Sequence, residues 1–329
     1  MKKIILYRVI VMLSMLVAGI VLLYLLVRIA PGSSTSKYLS TGFNIERQQQ
    51  LERLYNDNQP LTGQIITWLK RAVVFDFGKS LQSGREVKTI ILQSLKPTLW
   101  LTLLATFWGL IIGFPAALIS AIHKHTKLDH ILSVIMIILF SLPAFWLGLF
   151  LLQFFAVHSG WFPSSQLFQY QIEEVSHWRQ LTGKFYHLFL PSFSLGLGLA
   201  AYFYKYFKNE LINILDSEYI LAARVMGLSM PKIIFYHVAP NLTPHFLALL
   251  TSLTPMLFSG AVTIEYIFSI PGLGRTMVHA AIARDLPLIM GGATLSFLLV
   301  MVLNSILEIM IFLINPQIRS ELINEKYLL

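Results

Sequence analysis

No cysteine occurs among the 329 residues. That excludes a disulfide framework, a zinc–thiolate site and a thiol nucleophile, and it leaves the redox compartment unread. Charge is scarce as well. Only 12% of the residues are Asp, Glu, Lys or Arg, against about 25% in a soluble globular domain, so the chain cannot clothe a water-exposed surface. A complete phosphate-binding loop is missing: Gly78-Lys79-Ser80 resembles the end of one, but Val73 stands where the first glycine belongs. There is no His-Glu-x-x-His and no carboxylate pair inside an apolar run, which leaves a membrane-embedded hydrolase without its chemistry. A secondary transporter would place ionisable residues at mid-span and show internal symmetry, and neither is found.

What is present is apolar length. Hydrophobic residues make up 56% of the chain. Six stretches lack Lys, Arg, Asp and Glu: Val9–Val27, Leu99–Ile122, Ile131–Val157, Phe185–Tyr204, Phe246–Ile264 and Leu288–Leu307. A helix needs about 20 such residues to cross a bilayer, so an all-α membrane protein with six transmembrane helices is expected. The first stretch exceeds a signal-peptide core and no A-x-A site follows, so it reads as a retained helix. The net charge of +9 is assigned to basic residues flanking the spans, with no nucleic-acid partner.

Basic residues also orient the chain. With a cytoplasmic N-terminus, the inside holds Lys2, Lys3, Arg8, Lys124, Lys127, Lys205, Lys208, Arg224, Lys232, Arg319 and Lys326, while the two short outer loops hold Arg179, Lys184, Arg275 and Arg284. The C-terminus then also lies inside. The chain divides into a first transmembrane helix (1–30), an extracytoplasmic lateral segment (31–96), a five-helix core (97–315) with a cytoplasmic segment at 205–243, and a cytoplasmic tail (316–329). Within the lateral segment, Ile45–Leu54 and Leu61–Val74 read as short amphipathic helices.

The segment after Lys205 carries the most information. Asp216-Ser217 can cap a helix that runs to Met226 and stops at Gly227, and Ser229-Met230-Pro231 starts another. Tyr219, Ala222, Ala223 and Met226 share a face by helical spacing, where small alanines admit a partner's backbone or the face lies on lipid headgroups. Near the outer end of the fifth stretch, Glu265 precedes Pro271-Gly272-Leu273-Gly274, whose glycines permit a tight turn. On residues alone this reads either as a functional acid, since an acid near a span is expensive to keep, or as a hairpin with a snorkelling acid. His123-x-His125 sits among lysines, and the other histidines are scattered, so no metal site is expected.

Taken together, these residues resemble the membrane permeases of ABC importers. Ala222-Ala223, Gly227 and Pro240 fall at the offsets of their E-A-A-x3-G-x9-I-x-L-P docking segment, with Leu221 and His237 in place of its Glu and Ile, and Glu218 one turn earlier. The chain is similar to the oligopeptide/dipeptide/nickel permease family, first-permease type. The likeness is carried in order by Arg28-Ile29-Ala30-Pro31-Gly32, Gln59-Pro60-Leu61, Gly78-Lys79-Ser80-Leu81 and Lys96-Pro97-Thr98-Leu99. It continues through Ser141 to Gly148, Gly160-Trp161-Phe162-Pro163, Glu218 to Ser229 and Pro271 to Arg275. Arg284-Asp285-Leu286-Pro287 and Asn315-Pro316-Gln317-Ile318-Arg319 complete it.

The resemblance implies a type I ABC importer permease fold in the plasma or inner membrane and a non-catalytic subunit. It implies a homologous permease as heterodimer partner, two ATPase subunits that use ATP and Mg, and an extracytoplasmic solute-binding protein. Glu218, Ala222, Ala223, Gly227 and Pro240 are expected to couple to the ATPase. Glu265, Pro271, Gly272, Gly274 and Arg275 are expected at an outer gate or binding-protein contact. Peptides are the expected substrate, nickel or a metal chelate the alternative. Arginines usual after the fourth span are replaced by Tyr, Phe and Lys over 201–209, and the outer loop 164–187 is long.

Because the chain has no cysteine, the orientation is directly testable. Ser229→Cys is expected to react with an impermeant maleimide only from the cytoplasmic side and Ser83→Cys only from outside; the reverse pattern overturns the topology.

Overall fold

The computed structural model describes residues 2–29, 61–164 and 177–314. The expected helix at Ile45–Leu54, residues 165–176 of the outer loop 164–187 and the tail 316–329 lie outside the described residues. Within them the chain is helical: α1 (Lys2–Ile29), α2 (Leu61–Val73), α3 (Val87–Ile122), α4 (Lys127–Ser141), α5 (Ala144–Leu151), α6 (His177–Leu215), α7 (Glu218–Val225), α8 (Met230–Ile233), α9 (Ala239–Ile267), α10 (Leu273–Ala283) and α11 (Leu286–Ile314). Wider π turns extend α5 over Leu152–His158 and join α8 to α9 over Ile234–Val238. An all-helical backbone satisfies its own N–H and C=O groups, as hydrocarbon surroundings require.

Among the described residues, three stretches are long and apolar enough to cross a membrane: Val87–Ile122, Met230–Pro255 and Leu286–Ile314. The expected span Ile131–Val157 is not straight. It bends by 95° between Ser141 and Ala144, because Pro143 holds an extended conformation and caps the N-terminus of α5. The pair counts as a fourth crossing if taken as one broken span.

The chain forms two compact units, Met1–Lys96 with Arg275–Val302, and Pro97–Gly274 with Leu303–Leu329. In the first, Ile20 and Tyr24 of α1 pack with Met290 of α11, flanked by Ile65, Trp68 and Leu69 of α2. Tyr24 donates its hydroxyl to Gln64, so the one polar group α2 sends into this core is satisfied. The Gly78-Lys79-Ser80 motif is a turn anchor. Ser80 Oγ donates to Asp285 Oδ2 at 2.5 Å and the Gln82 N–H donates to the same oxygen at 3.2 Å. Asp285 is fully buried and its Oδ1 accepts the Leu288 N–H at 3.3 Å, capping α11. One carboxylate thus joins a helix start to a loop about 200 residues earlier.

In the second unit α6 is the spine. Its buried Leu199, Ala200, Phe203, Phe207 and Leu211 pack with α3, α4, α5 and α9. Helices α3 and α6 approach so closely that a Cβ on Gly113 would lie 2.4 Å from the Ala200 carbonyl oxygen, and one on Gly196 2.6 Å from Trp108 Cβ. Such contact through small residues is the usual means of helix association in lipid. At one end of this contact Phe189 stacks on Phe162 and Phe193, and Trp108 meets Phe189 and Phe193 edge-on.

Asp285→Ala is expected to destabilise the protein by about 1–3 kcal/mol, since it strands the buried Ser80 hydroxyl and the Leu288 N–H. The measurement is the midpoint of denaturant unfolding in detergent, and an unchanged midpoint contradicts the anchor.

Candidate functional site

The segment expected to couple to an ATPase begins later than its sequence suggests. Lys205 to Leu215 are the final turns of α6, and the segment's own helices are α7 and α8. Ser217 occupies the N-cap position of α7, but its hydroxyl donates to the Ile214 carbonyl instead of accepting from the helix. The first turn of α7 is held by the Ser217 carbonyl, which accepts the Ile220 and Leu221 N–H groups at 3.1 Å. At the other end Gly227 has φ +80°. Its N–H bonds the Arg224 carbonyl at 2.9 Å and the next N–H, from Leu228, reaches back to Ala223 at 3.2 Å. That left-handed residue reverses the chain into α8, and it is there that glycine's freedom is needed.

Of the expected coupling residues, Glu218, Ala222, Gly227 and Pro240 are exposed. Ala223 is not: it is 1% exposed and packs with Ile220 in the core of its own unit. It stands about 40° around the helix from Tyr219 and about 60° from the buried Ile220, at the edge of the predicted face, and tertiary packing turns that edge inward. Its small size therefore serves contacts within this chain. Pro240 lies in the first turn of α9, where a missing N–H is harmless.

The outward surface is apolar instead. Tyr219, Leu221, Val225 and Met226 of the first turn-and-helix are exposed, Val225 by 82%, and so are Phe235 and Tyr236 beyond α8, each by 75%. Tyr219 is held in place by Asn241, whose amide donates to its hydroxyl at 3.2 Å and to the His237 carbonyl at 2.7 Å. Phe235 and Tyr236 escaped the sequence reading, because an aromatic pair inside a helical run looks like core until its burial is known.

The second candidate surrounds Glu265, near the end of α9. Its carboxylate is 0% exposed, so a snorkelling acid at a hairpin is ruled out. Thr98 of α3 donates to Oε1 at 2.5 Å and accepts the Leu273 N–H at 2.8 Å. The chain from Phe268 to Gly274 folds over the acid: the Ile270 N–H bonds the Glu265 carbonyl at 2.8 Å and the Gly272 N–H bonds Ile270 at 2.8 Å. A Cβ on Gly272 would sit 2.2 Å from the carboxyl, and one on Gly274 2.6 Å from Val262 and 3.0 Å from Glu265 Oε2. Gly272 is thus required by closeness to the acid, and Gly274 chiefly by closeness to the Val262 backbone and side chain. Pro271 is the exposed tip and Arg275 is half-buried.

The corrected role of Ala223 has a direct consequence. Ala223→Trp is expected to reduce the yield of folded protein, since overpacking a core commonly costs about 1–3 kcal/mol or more. Val225→Trp, on the outward surface, is expected to fold normally. Fluorescence-detected size-exclusion chromatography of the two variants separates these outcomes.

Comparison with known proteins places this arrangement in context. The chain is 29% identical to the oligopeptide transport system permease protein AppB of Bacillus subtilis (strain 168), over 97% of this chain and 99% of that protein. It is 29% identical to the glutathione transport system permease protein GsiC of Escherichia coli (strain K12), over 91% of this chain and 93% of the other. Its fold matches a subunit chain in an inward-facing structure of the MetNI methionine ABC transporter with a TM-score of 0.57, 18% identity and coverage of 69% of this chain and 97% of that one. The family of binding-protein-dependent transport system inner membrane components matches residues 109–320. With that match spanning α4 to α11 and the exposed turn at Gly227 inside it, the chain belongs to this family of binding-protein-dependent inner-membrane transport components.

Proposed function

We propose that the chain forms half of a translocation pathway for peptides in an ATP-driven importer. The observation that carries this reading is the outward apolar surface at Tyr219, Leu221, Val225, Met226, Phe235 and Tyr236. It covers the short helix α7, between a basic helix end and a glycine turn, and the start of the apolar stretch beyond α8, at the position predicted to be cytoplasmic. Lipid does not explain it well, because Glu218 and Arg224 on the same helix are also exposed and the flanking Lys124–Asp216 pair is solvated. An apolar patch rimmed by charge suits a protein partner. In an importer of this family that partner is an ATPase subunit.

The chain itself supplies no covalent chemistry. ATP, with Mg, binds and is hydrolysed on two ATPase subunits, one docked on this segment and one on a homologous permease that completes the pathway. The docked α7–Gly227 turn moves with its ATPase and carries α6 and α9 with it, switching the pathway between inward-open and outward-open states. At the opposite end the Glu265 turn forms an outer gate. The carboxylate stays under the Gly272–Gly274 cradle, and exposed Pro271 presents the loop to a solute-binding protein. Both termini are cytoplasmic. The names of the two relatives, oligopeptide and glutathione, favour a peptide over nickel or a metal chelate.

Two experiments test this. Val225→Glu with Met226→Glu is expected to leave insertion intact and to abolish co-purification of the ATPases; Gly227→Val adds a strained φ worth about 1 kcal/mol and is expected to weaken the same association. Retention of both ATPases by the double variant refutes the docking surface. Uptake of a labelled alanine peptide, but not of nickel, is expected to disappear in a deletion strain and to return with the intact gene.

A further inference from the structure

Asp129 and Lys208 form a buried ion pair in the second unit, at the end of the helices nearest the Glu218–Gly227 turn. Asp129 lies in the first turn of α4, after Thr126, whose hydroxyl oxygen accepts the Asp129 N–H at 3.4 Å. Asp129 Oδ2 reaches back to the His125 N–H at 3.1 Å, a reciprocal capping arrangement shifted by one residue. Its Oδ1 accepts from Lys208 Nζ of α6 and from Ser120 Oγ of α3.

A second ring of bonds closes the group. Tyr204 Oη lies 2.8 Å from Ser120 Oγ and 2.9 Å from Ser133 Oγ. Lys208 Nζ donates to Ser133 Oγ at 3.0 Å and stands 5.6 Å from the centre of the Tyr204 ring. Burial by itself pushes the Asp129 carboxyl up, but the hydrogen bonds from Lys208, Ser120 and the His125 N–H outweigh it and hold the carboxyl well below the usual carboxylate range. Burial pulls the Lys208 ammonium down, but its bond to Asp129 and the Tyr204 hydroxyl more than reverse this, so it lies above its ordinary value. The pair is therefore charged throughout the physiological range.

Three helices meet in this network, and two of them lead elsewhere. Helix α6 ends at Leu215, about two turns past Lys208, and α7 starts at Glu218. Helix α4 runs from Asp129 to the 95° bend before α5. An apolar contact at this place would let the helix ends slide, whereas a charged pair with every hydrogen bond made has one geometry.

Building on the docking role proposed above for the α7–Gly227 turn, we propose that the Asp129–Lys208 network is a clamp that makes the ends of α3, α4 and α6 follow that turn as one body. ATP-driven displacement then reaches the membrane helices and is not absorbed by bending where α6 joins α7. Asp129 and Lys208 are positioning residues for transport, acting through the helices they join.

A plain fold staple and a clamp differ in what their loss does. The test uses the complete importer with its ATPases, reconstituted in vesicles with its binding protein and a radiolabelled alanine tripeptide. Asp129→Asn and Lys208→Met are expected to keep both ATPases bound and ATP hydrolysis near the parent rate. Peptide imported per ATP is expected to fall about tenfold or more, the size of typical coupling between sites. The exchange Asp129→Lys with Lys208→Asp is expected to recover most of that ratio. Loss of bound ATPase in the parent-like Val225→Glu and Met226→Glu control reports on docking alone, so the two readings fail separately. An unchanged import-to-ATP ratio overturns the clamp, as does a fall in uptake matched by an equal fall in hydrolysis. If Asp129→Asn does not insert, Tyr204→Phe trims the network at a single hydroxyl, and the same ratio decides.

Discussion

A carboxylate cannot stay charged in hydrocarbon without partners, and much of this fold is arranged around that constraint. Among the described residues three carboxylates are buried, Asp129, Glu265 and Asp285, and each sits at a helix end where polar groups are already concentrated. Asp129 is neutralised by Lys208, Glu265 is bonded by Thr98 beneath a glycine cradle, and Asp285 caps α11 while gathering the Ser80 hydroxyl and the Gln82 N–H. In each case the acid joins segments distant in sequence, which an apolar contact could do only without fixing their register. The helices between these points are then free to be almost wholly apolar.

The same economy separates two kinds of glycine. At Gly227 the reason is conformational: φ is +80° and nothing crowds the missing Cβ. At Gly272 and Gly274 the reason is proximity to Glu265 and Val262. In sequence the three look alike, each a glycine in a loop at a helix boundary. A substitution at the first strains the backbone, while at the other two it displaces the buried acid or Val262. The Gly227 turn has open space at its missing Cβ, whereas the Glu265 turn is packed against its carboxylate.

The exposed apolar surface around α7 is built on different terms from the rest. Elsewhere exposed apolar residues such as Leu103, Ile111 and Ile137 lie on long apolar helices, where a bilayer accounts for them. Val225 and Met226 stand beside exposed Arg224 on and just after α7, a helix too short to cross, while Phe235 and Tyr236 stand near exposed Lys232 at the start of the Met230–Pro255 stretch. The chain then holds the α7–Gly227 turn through Asn241 and Tyr219 and roots it in α6 through Ile220 and Ala223.

Much of this was legible from residues alone. Scarce charge and long apolar runs determine a helical membrane protein, because backbone groups in lipid have no other partners. The spacing of Glu218 to Gly227, with glycine where a helix must reverse, determines the exposed turn. Side-chain direction was not legible. Ala223 and Ala222 are neighbours of one type, yet only the packing of α7 against the core of its unit decides that the first faces inward. Nor could the sequence pair Lys208 with Asp129 or Thr98 with Glu265, separated by 79 and 167 residues. Helical periodicity constrains residues a turn apart; which distant helices bring their charges together is decided only when the whole bundle minimises its unpaired buried polar groups.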